Sequence, residues 1–305
     1  MMRFLLGRVV QSLIVLLGVC TFVFFLMHMT GDPVRLLLPL DATPEDIERV
    51  RHLMGFDRPL HQQFLSYVTR LLQGDLGVSL RHQQPALHLL VERIPATLKL
   101  TLAALLVSLV IALPLGTISA MKRDTPVDAT GAFVALLGQC VPTFWLGIML
   151  IMLFAVHWRI FPALGAGTLA HLVLPAITLG AYSAALTTRM LRSSLLDVLD
   201  QDFVRTARAK GLRERTVMLR HIVPHAAIPV VTVIALQVGH LLSGSIVTET
   251  IFSYPGMGLL VVQAIYGRDF TLVQGFVILL AIVILTINIA VDILYCYLDP
   301  RVRLG

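Results

Sequence analysis

Residues 205–224 read RTARAKGLRERTVMLRHIVP and form a strongly basic stretch that ends in a proline. This stretch lies between two apolar runs, Leu172–Met190 and Ala226–Thr248. Each run is about as long as the 20 residues that an α-helix needs to cross a bilayer. A basic loop between two such runs is typical of a membrane protein, because the charges stay in the aqueous phase while the helices lie in lipid.

The composition of the whole chain supports this interpretation. Of its 305 residues, 57% are hydrophobic and 14% are charged, whereas soluble domains average about 45–50% and 25%. The net charge of +6 would also suit a nucleic-acid-binding protein, but the apolar excess argues against that class. The three cysteines have no spacing typical of a metal site or a disulfide framework.

Six apolar runs are long enough to be membrane spans. The first is longer than the apolar region of a signal peptide and is not followed by a small-residue cleavage site. We therefore predict an all-α membrane protein with six transmembrane helices, the first of which is a retained anchor. The runs are Val9–Met29, Thr97–Ala120, Gly131–Val156, Leu172–Met190, Ala226–Thr248 and Leu272–Tyr295.

Lysine and arginine indicate the orientation of the helices, because these residues concentrate in cytoplasmic loops. With the N-terminus inside, most of the 24 lysines and arginines fall in inside segments. The short outside loops then hold only Arg159 and Arg268. This distribution predicts that both termini are cytoplasmic.

The six runs divide the chain into four parts. The long outside segment contains TPEDIERVRHLMGFDRPL and QQFLSYVTRLLQGDLG, which predict a small, mostly helical insertion. The parts are residues 1–30 with the first helix, the extracytoplasmic insertion 31–95, a five-helix core 96–297 with the cytoplasmic loop 191–225, and the tail 298–305.

The loop 191–225 has two possible roles. It could bind anionic lipid, since each basic residue near such a surface contributes about 1 kcal/mol, but a lipid-binding helix would carry large apolar side chains. This loop instead has small residues at near-helical spacing, so another backbone can approach it closely. Gly211 in a left-handed conformation would end one short helix and begin a second, and Pro224 would mark re-entry into the membrane. We therefore favour docking of a partner protein.

The loop resembles the EAA loop of ABC importer permeases. Arg205-Thr206-Ala207 stands where the general consensus of that family has Glu-Ala-Ala, but RTARAKG is the form typical of its dipeptide, oligopeptide and nickel branch. Other motifs similar to that branch follow one another along nearly the whole chain. They are Gly31-Asp32-Pro33, MGFDRPL at 54–60, GDLG at 74–77, RIPATL at 93–98, Gly244-Ser245 with Glu249, Phe252 and PGMG at 255–258, Arg268-Asp269-Phe270 with Gln274, Asp292, and Asp299-Pro300-Arg301.

The resemblance implies a type I ABC importer permease fold in the bacterial inner membrane, in which the loop forms a coupling helix in a groove of an ATPase. It implies four partners besides lipid: a second, related permease that completes the translocation path as a heterodimer, two cytoplasmic ATPase subunits, and an extracytoplasmic solute-binding protein. No nucleic acid is expected. The coupling residues it implies are Arg205, Thr206, Ala207, Arg208, Ala209, Lys210, Gly211 and Pro224.

The chain has no site of its own for ATP. It contains no G-x-x-x-x-G-K-[ST] loop, and none of its three lysines follows a glycine. We therefore expect ATP and Mg²⁺ to be bound by the partner ATPases, and this chain to be non-catalytic, with no cofactor and no metal.

Polar residues inside the spans are candidates for function. We predict a possible translocation path at Gln237, His240, Ser243 and Glu249. A hydrogen bond to a neighbouring helix remains an alternative for His240, and contact with a partner or with water remains open for Glu249. His221 and His225 are four residues apart, but Pro224 should interrupt the helix between them, so no metal site is predicted.

Two other classes of function remain as alternatives. An ion-coupled secondary transporter would move its solute without partners, and inverted repeats would support it, but the sequence shows none. An intramembrane enzyme would need an oriented nucleophile and base, which Ser243 and His240 do not form. For the cargo we predict di- and oligopeptides, with nickel or another metal chelate and glutathione as alternatives.

Overall fold

The computed structural model describes residues 2–29, 43–79 and 81–298. The motifs Gly31-Asp32-Pro33 and Asp299-Pro300-Arg301 lie outside the described residues, as does the tail after Leu298. The helices in chain order are α1 Met2–Met29, α2 Pro44–Met54, α3 Leu60–Leu72, α4 Ala86–Met121, α5 Pro126–Cys140, α6 Thr143–Leu150, α7 Ala170–Leu199, α8 Asp202–Ala209, α9 Glu214–Val217, α10 Val223–Ile251, α11 Met257–Tyr266 and α12 Phe270–Leu298. Two π-helical segments, Ile151–His157 and Met218–Ile222, continue α6 and α9.

In the part of the chain that the structure describes, five helical segments are long and apolar enough to cross a membrane, and a bent pair makes a sixth if it is counted as one span. This agrees with the six predicted spans, but the prediction of a single helix over Gly131–Val156 is wrong. The pair Pro126–Cys140 and Thr143–His157 is bent by 102°. The cause is Pro142, because a proline forces the preceding residue out of the helical region, and Val141 is extended at φ −72° and ψ 124°.

The insertion that the sequence predicts between the first two spans contains two elements that the sequence did not predict. Strands β1 Val78–Ser79 and β2 Gln84–Pro85 form an antiparallel hairpin. Helix α4 then begins at Ala86, well before the predicted start of the second span at Thr97. Helix α2 begins at Pro44, and Ile47 N donates to Thr43 O at 3.1 Å in its first turn.

The chain divides into two compact units, Met1–Pro95 with Leu260–Ile289, and Ala96–Leu259 with Ala290–Gly305. In the first unit, the ring of Phe24 from α1 packs on Phe64 and Tyr67 from α3, with ring centroids 5.3 and 5.6 Å apart. Buried Asp269 precedes α12 and accepts hydrogen bonds from Ser79 Oγ and Leu272 N.

The second unit contains two apolar cores. One is built around Leu100, Ala104, Leu174, Leu179, Leu241, Phe252 and Tyr254. The other lies beside the predicted docking loop and contains Ala120, Leu191, Leu195, Val204, Ala207, Val217, Ile222, Ala226 and Val230. The loop is therefore a packed part of the fold.

Candidate functional site

The predicted docking loop forms a sharp turn between two short helices, which we call the elbow and define as residues 202–217. Helix α8 ends in a Schellman motif, in which Gly211 N donates to Arg208 O at 2.9 Å and Leu212 N donates to Ala207 O at 3.4 Å. Gly211 has φ +74°, a conformation that glycine adopts without steric cost. The prediction that Gly211 separates two short helices is confirmed.

The elbow is attached to the core through one face of α8. Val204 and Ala207 are 0% and 6% exposed and pack in the second apolar core. Ala207 was predicted among the residues that couple to an ATPase. Its side chain is buried in the second apolar core, so it fixes the position of α8.

The opposite face of the elbow is polar and basic. The side chain of Arg205 is 72% exposed, and Thr206, Ala209, Lys210 and Gly211 are also exposed. Arg208 spans the turn, donating from Nη2 to Glu214 Oε1 at 2.6 Å and from Nε to Oε2 at 3.2 Å. Six of the eight predicted coupling residues therefore lie on the exposed surface of the elbow, which the ion pair braces. Ala207 is buried, and Pro224 is exposed but lies beyond the elbow, in α10.

Pro224 does not interrupt the helix that leads away from the elbow. The helical run continues from Glu214 to Ile251 through the π-helical segment Met218–Ile222, and we call this run the rod. Because the run is continuous, Pro224 lacks one N–H that a helix interior would use, and the π-helical segment with its altered hydrogen-bond spacing directly precedes it. The expected break between His221 and His225 is thus wrong. Within the described residues, no group of three or more histidines, cysteines or carboxylates suits a metal ion.

An ion pair between buried Asp128 and partly exposed Arg192, which the sequence analysis missed, holds the turn between α4 and α5 against α7. Asp128 is 5% exposed and accepts from Arg192 Nε at 2.6 Å and from Arg192 Nη2 at 2.7 Å. Ser119 Oγ and Asp124 N also donate to it, at 2.9 and 3.1 Å. The sequence signal that could have revealed this ion pair is the presence of an aspartate in an otherwise apolar helix.

The four predicted path residues lie along α10 in two different environments. Gln237 is buried, and its Nε2 donates to Thr187 Oγ1 at 3.0 Å. His240 and Ser243 are exposed on one face, with the His240 ring 5.3 Å from that of Tyr182. Glu249 is 0% exposed. The structure thus brings His240 and Ser243 together, and it places Gln237 and Glu249 inside the chain.

Glu249 binds three segments together in an arrangement that we call the clasp, formed by Thr97, Glu249 and residues 257–259. Thr97 Oγ1 donates to Glu249 Oε1 at 2.7 Å and accepts from Met257 N at 2.9 Å. Gly258 N and Leu259 N donate to Glu249 Oε2 at 2.7 and 3.1 Å. The carboxylate therefore caps the first turn of α11, where the N–H groups and the helix dipole favour a negative charge.

The glycines of the PGMG motif allow the carboxylate to approach. A Cβ atom at Gly256 would overlap the carboxyl group of Glu249, and one at Gly258 would lie 2.5 Å from Ile246 Cα. These two glycines are thus explained by the space that Glu249 and α10 occupy.

Comparison with known proteins identifies the fold and the family. A family model described as the binding-protein-dependent transport system inner membrane component matches residues 112–304. The chain belongs to this family. The model for the N-terminal part of such membrane components matches residues 1–101, so the resemblance found in the sequence is confirmed over nearly its whole length.

Two relatives of this permease are similar over their full length. The dipeptide transport system permease protein DppB of Escherichia coli (strain K12) is 38% identical, with 99% of each chain covered. The glutathione transport system permease protein GsiC of Salmonella choleraesuis (strain SC-B67) is 39% identical, also with 99% of each chain covered. The chain is thus a multi-pass inner membrane permease subunit of a binding-protein-dependent ABC importer.

Solved structures support the type I importer fold. A chain of the MetNI methionine ABC transporter in an inward-facing conformation matches with a TM-score of 0.61 at 21% identity, covering 69% of this permease and 96% of that chain. A chain from an amino acid ABC transporter with histidines matches with a TM-score of 0.56 at 16% identity.

Proposed function

We propose that this permease moves short peptides across the bacterial inner membrane. The support is the equal similarity to a dipeptide permease and to a glutathione permease, at 38% and 39% identity over 99% of the chain. Glutathione is itself a tripeptide, so both relatives indicate a cargo of two or three linked residues. Dipeptides are our first choice and glutathione is the alternative. For nickel or another metal chelate, the third class that the sequence left open, no observation on the described residues speaks in its favour.

The permease would act with four partner subunits and would have no catalytic role of its own. A second, distinct permease would complete the translocation path, and a soluble binding protein would deliver the cargo from outside. Two ATPase subunits would bind ATP and Mg²⁺. His240 and Ser243 are our candidates for the path, because they share an exposed face of α10.

The elbow is the proposed docking site for an ATPase subunit. The single observation that supports this role is its construction: α8 is fixed from below by buried Val204, while its outward face stays exposed and basic. A docking helix needs both properties, because it must present a surface and also pass force to the rest of the chain. We place the elbow, with both termini, in the cytoplasm.

Cross-linking tests this assignment. In a variant without native cysteines, Lys210→Cys should form a cross-link to an ATPase subunit in the purified importer, and His82→Cys, equally exposed but in the insertion, should form none. In intact spheroplasts a membrane-impermeant thiol reagent should label His82→Cys and leave Lys210→Cys unmodified. If Lys210→Cys were labelled from outside, or gave no cross-link in an active complex, the docking assignment would be wrong.

The two remaining alternatives make different predictions. An elbow that binds only anionic lipid would leave Lys210→Cys without a protein cross-link. An ion-coupled transporter would take up labelled alanyl-alanine when this chain alone is reconstituted with an ion gradient. We expect uptake only when the second permease, both ATPases, the binding protein and ATP are all present.

A further inference from the structure

The elbow and the clasp lie at opposite ends of the rod. The run Glu214–Ile251 has 38 residues, which correspond to about 57 Å at 1.5 Å per residue. The hydrocarbon layer of a bilayer is only about 30 Å thick. The rod is therefore long enough to connect a surface in the water on one side with a point near the other side.

The clasp fixes the end of the rod to two further segments. Glu249 lies in the last turn of α10, Thr97 lies in α4, and the donors Gly258 and Leu259 lie in the first turn of α11. All of these residues are part of the second unit. A displacement of Glu249 relative to either neighbour would break hydrogen bonds to a buried charged group, which are among the strongest that proteins form.

The bonds in the clasp also depend on one another. The Thr97 hydroxyl donates to Glu249 and accepts from Met257 N at the same time, so a shift of this one side chain would weaken both contacts. Its side chain is 2% exposed, so water cannot easily replace a lost partner, and an unpaired buried group is costly. The three segments are therefore expected to move as one.

We propose that Glu249 is a positioning residue for transport, and that the clasp passes the movement of the rod to α4 and α11. This inference rests on the proposed function, because it takes the elbow as the point where the ATPase acts. ATP binding would shift the rod at the elbow, and the clasp would carry α4 and α11 along with it. Without the clasp, the ATPases would still hydrolyse ATP, but the translocation path would no longer open with each cycle of hydrolysis.

Thr97 provides a matched pair of variants to test this role. Thr97→Val keeps the shape of the side chain and removes the hydroxyl, whereas Thr97→Ser keeps the hydroxyl. The measurement is uptake of labelled alanyl-alanine and of labelled glutathione per ATP hydrolysed, in proteoliposomes with the complete importer. Thr97→Val should lower this ratio about tenfold, because the loss of one hydrogen bond to a charged group weakens the attachment of the rod to α4 by about that factor. Thr97→Ser should keep the ratio of the wild type.

Glu249→Gln is the second variant. Its amide oxygen can still accept from the first turn of α11, but its NH₂ group faces the Thr97 hydroxyl in place of an acceptor. We expect a lower ratio of uptake to hydrolysis, with basal ATP hydrolysis and subunit composition as in the wild type. This outcome separates a positioning role from a folding defect, which would lower uptake and hydrolysis together.

The proposal is overturned if Thr97→Val couples like the wild type, or if Thr97→Val and Glu249→Gln lose uptake and hydrolysis in parallel. Failure of the docking assignment has a different signature, because the Lys210→Cys cross-link would then be missing from a complex in which Thr97 is unchanged. An intact cross-link together with normal coupling in Thr97→Val would reject the clasp and leave the elbow assignment standing.

Discussion

The elbow and the clasp are both places where helices meet at an end of the rod, and they are built from opposite chemistry. At the elbow, the joining ion pair of Arg208 and Glu214 is exposed, with side chains 43% and 53% accessible. At the clasp, the joining carboxylate of Glu249 is fully buried and accepts three hydrogen bonds. Exposed ion pairs contribute little stability, whereas hydrogen bonds to buried charges contribute much.

The glycines follow the same division. Gly211 of the elbow is there for its backbone conformation, since a Cβ atom added to it would meet nothing within 4 Å. Gly256 and Gly258 of the clasp are there for space, because a side chain would overlap Glu249 or α10. The elbow, which must receive a partner, leaves space around its glycine, whereas the clasp, which must transmit movement, is tightly packed. We therefore expect mutations at the clasp to lower stability more than mutations at the elbow.

The largest effect is expected from Gly256→Ala. The new methyl group would displace the Glu249 carboxylate from its donors, so the overlap and the lost hydrogen bonds together should cost about 4 kcal/mol of unfolding free energy. The check is the thermal unfolding midpoint of the purified permease in detergent. Gly239→Ala, in α10 with open space around it, is the control and should unfold at or slightly above the wild-type midpoint, because alanine favours a helix more than glycine does. Equal midpoints for the two variants would contradict the tight clasp.

A smaller loss is expected at the ion pair of the α4–α5 turn. Asp128→Asn would leave the Arg192 guanidinium facing an amide, at a cost of about 2 kcal/mol, because the Arg192 side chain is 31% accessible and water can solvate it in part. Asp200→Asn breaks the exposed pair with Arg123, whose atoms are 3.5 Å apart, and should be nearly neutral. Denaturation of both variants under the same conditions measures the difference. If Asp200→Asn lowered the free energy of unfolding as much as Asp128→Asn does, burial of the aspartate would not determine how much an ion pair stabilises this chain.

Gly211 separates backbone strain from contact with a partner. Gly211→Val should cost about 1–2 kcal/mol because of its positive φ, whereas Gly211→Asn should cost less, since asparagine adopts this conformation readily. Both side chains fit within this chain, so we expect both variants to hydrolyse ATP with poor uptake because the added atoms meet the ATPase. Normal coupling in Gly211→Asn would show that nothing docks at this turn.

The smallest effect on stability is expected at the exposed brace of the elbow. Arg208→Ala and Glu214→Ala should each change the unfolding free energy by about 0.5 kcal/mol, and added salt should reduce the difference. A double-mutant cycle isolates the pair from other effects of each change. A coupling energy as large as that expected at Asp128 would remove the contrast between the elbow and the buried joints.

The sequence was most informative where a local backbone rule applies. The role of Gly211 was predictable because a Schellman motif needs a residue in the left-handed conformation directly after the end of the helix. The clasp was not predictable, because Thr97 and Glu249 are 152 residues apart and only the tertiary fold brings them together. The bend at Pro142 followed a local rule that the search for apolar runs overlooked, and the hairpin at Val78 is too short to show an alternating pattern.

The rigidity of the rod tests the central claim most directly. Spin labels at Arg215 and Val247, which are exposed on either side of the π-helical segment Met218–Ile222, report the length of the rod by pulsed electron paramagnetic resonance in the complete importer. We predict the same distance distribution in the nucleotide-free and ATP-bound complexes, because the rod moves as one body from the elbow to the clasp. A distance that changes when ATP binds would contradict this account, since it would mean that the rod bends between the labels, at the π-helical segment or at Pro229, and that movement at the elbow does not reach Glu249 in full.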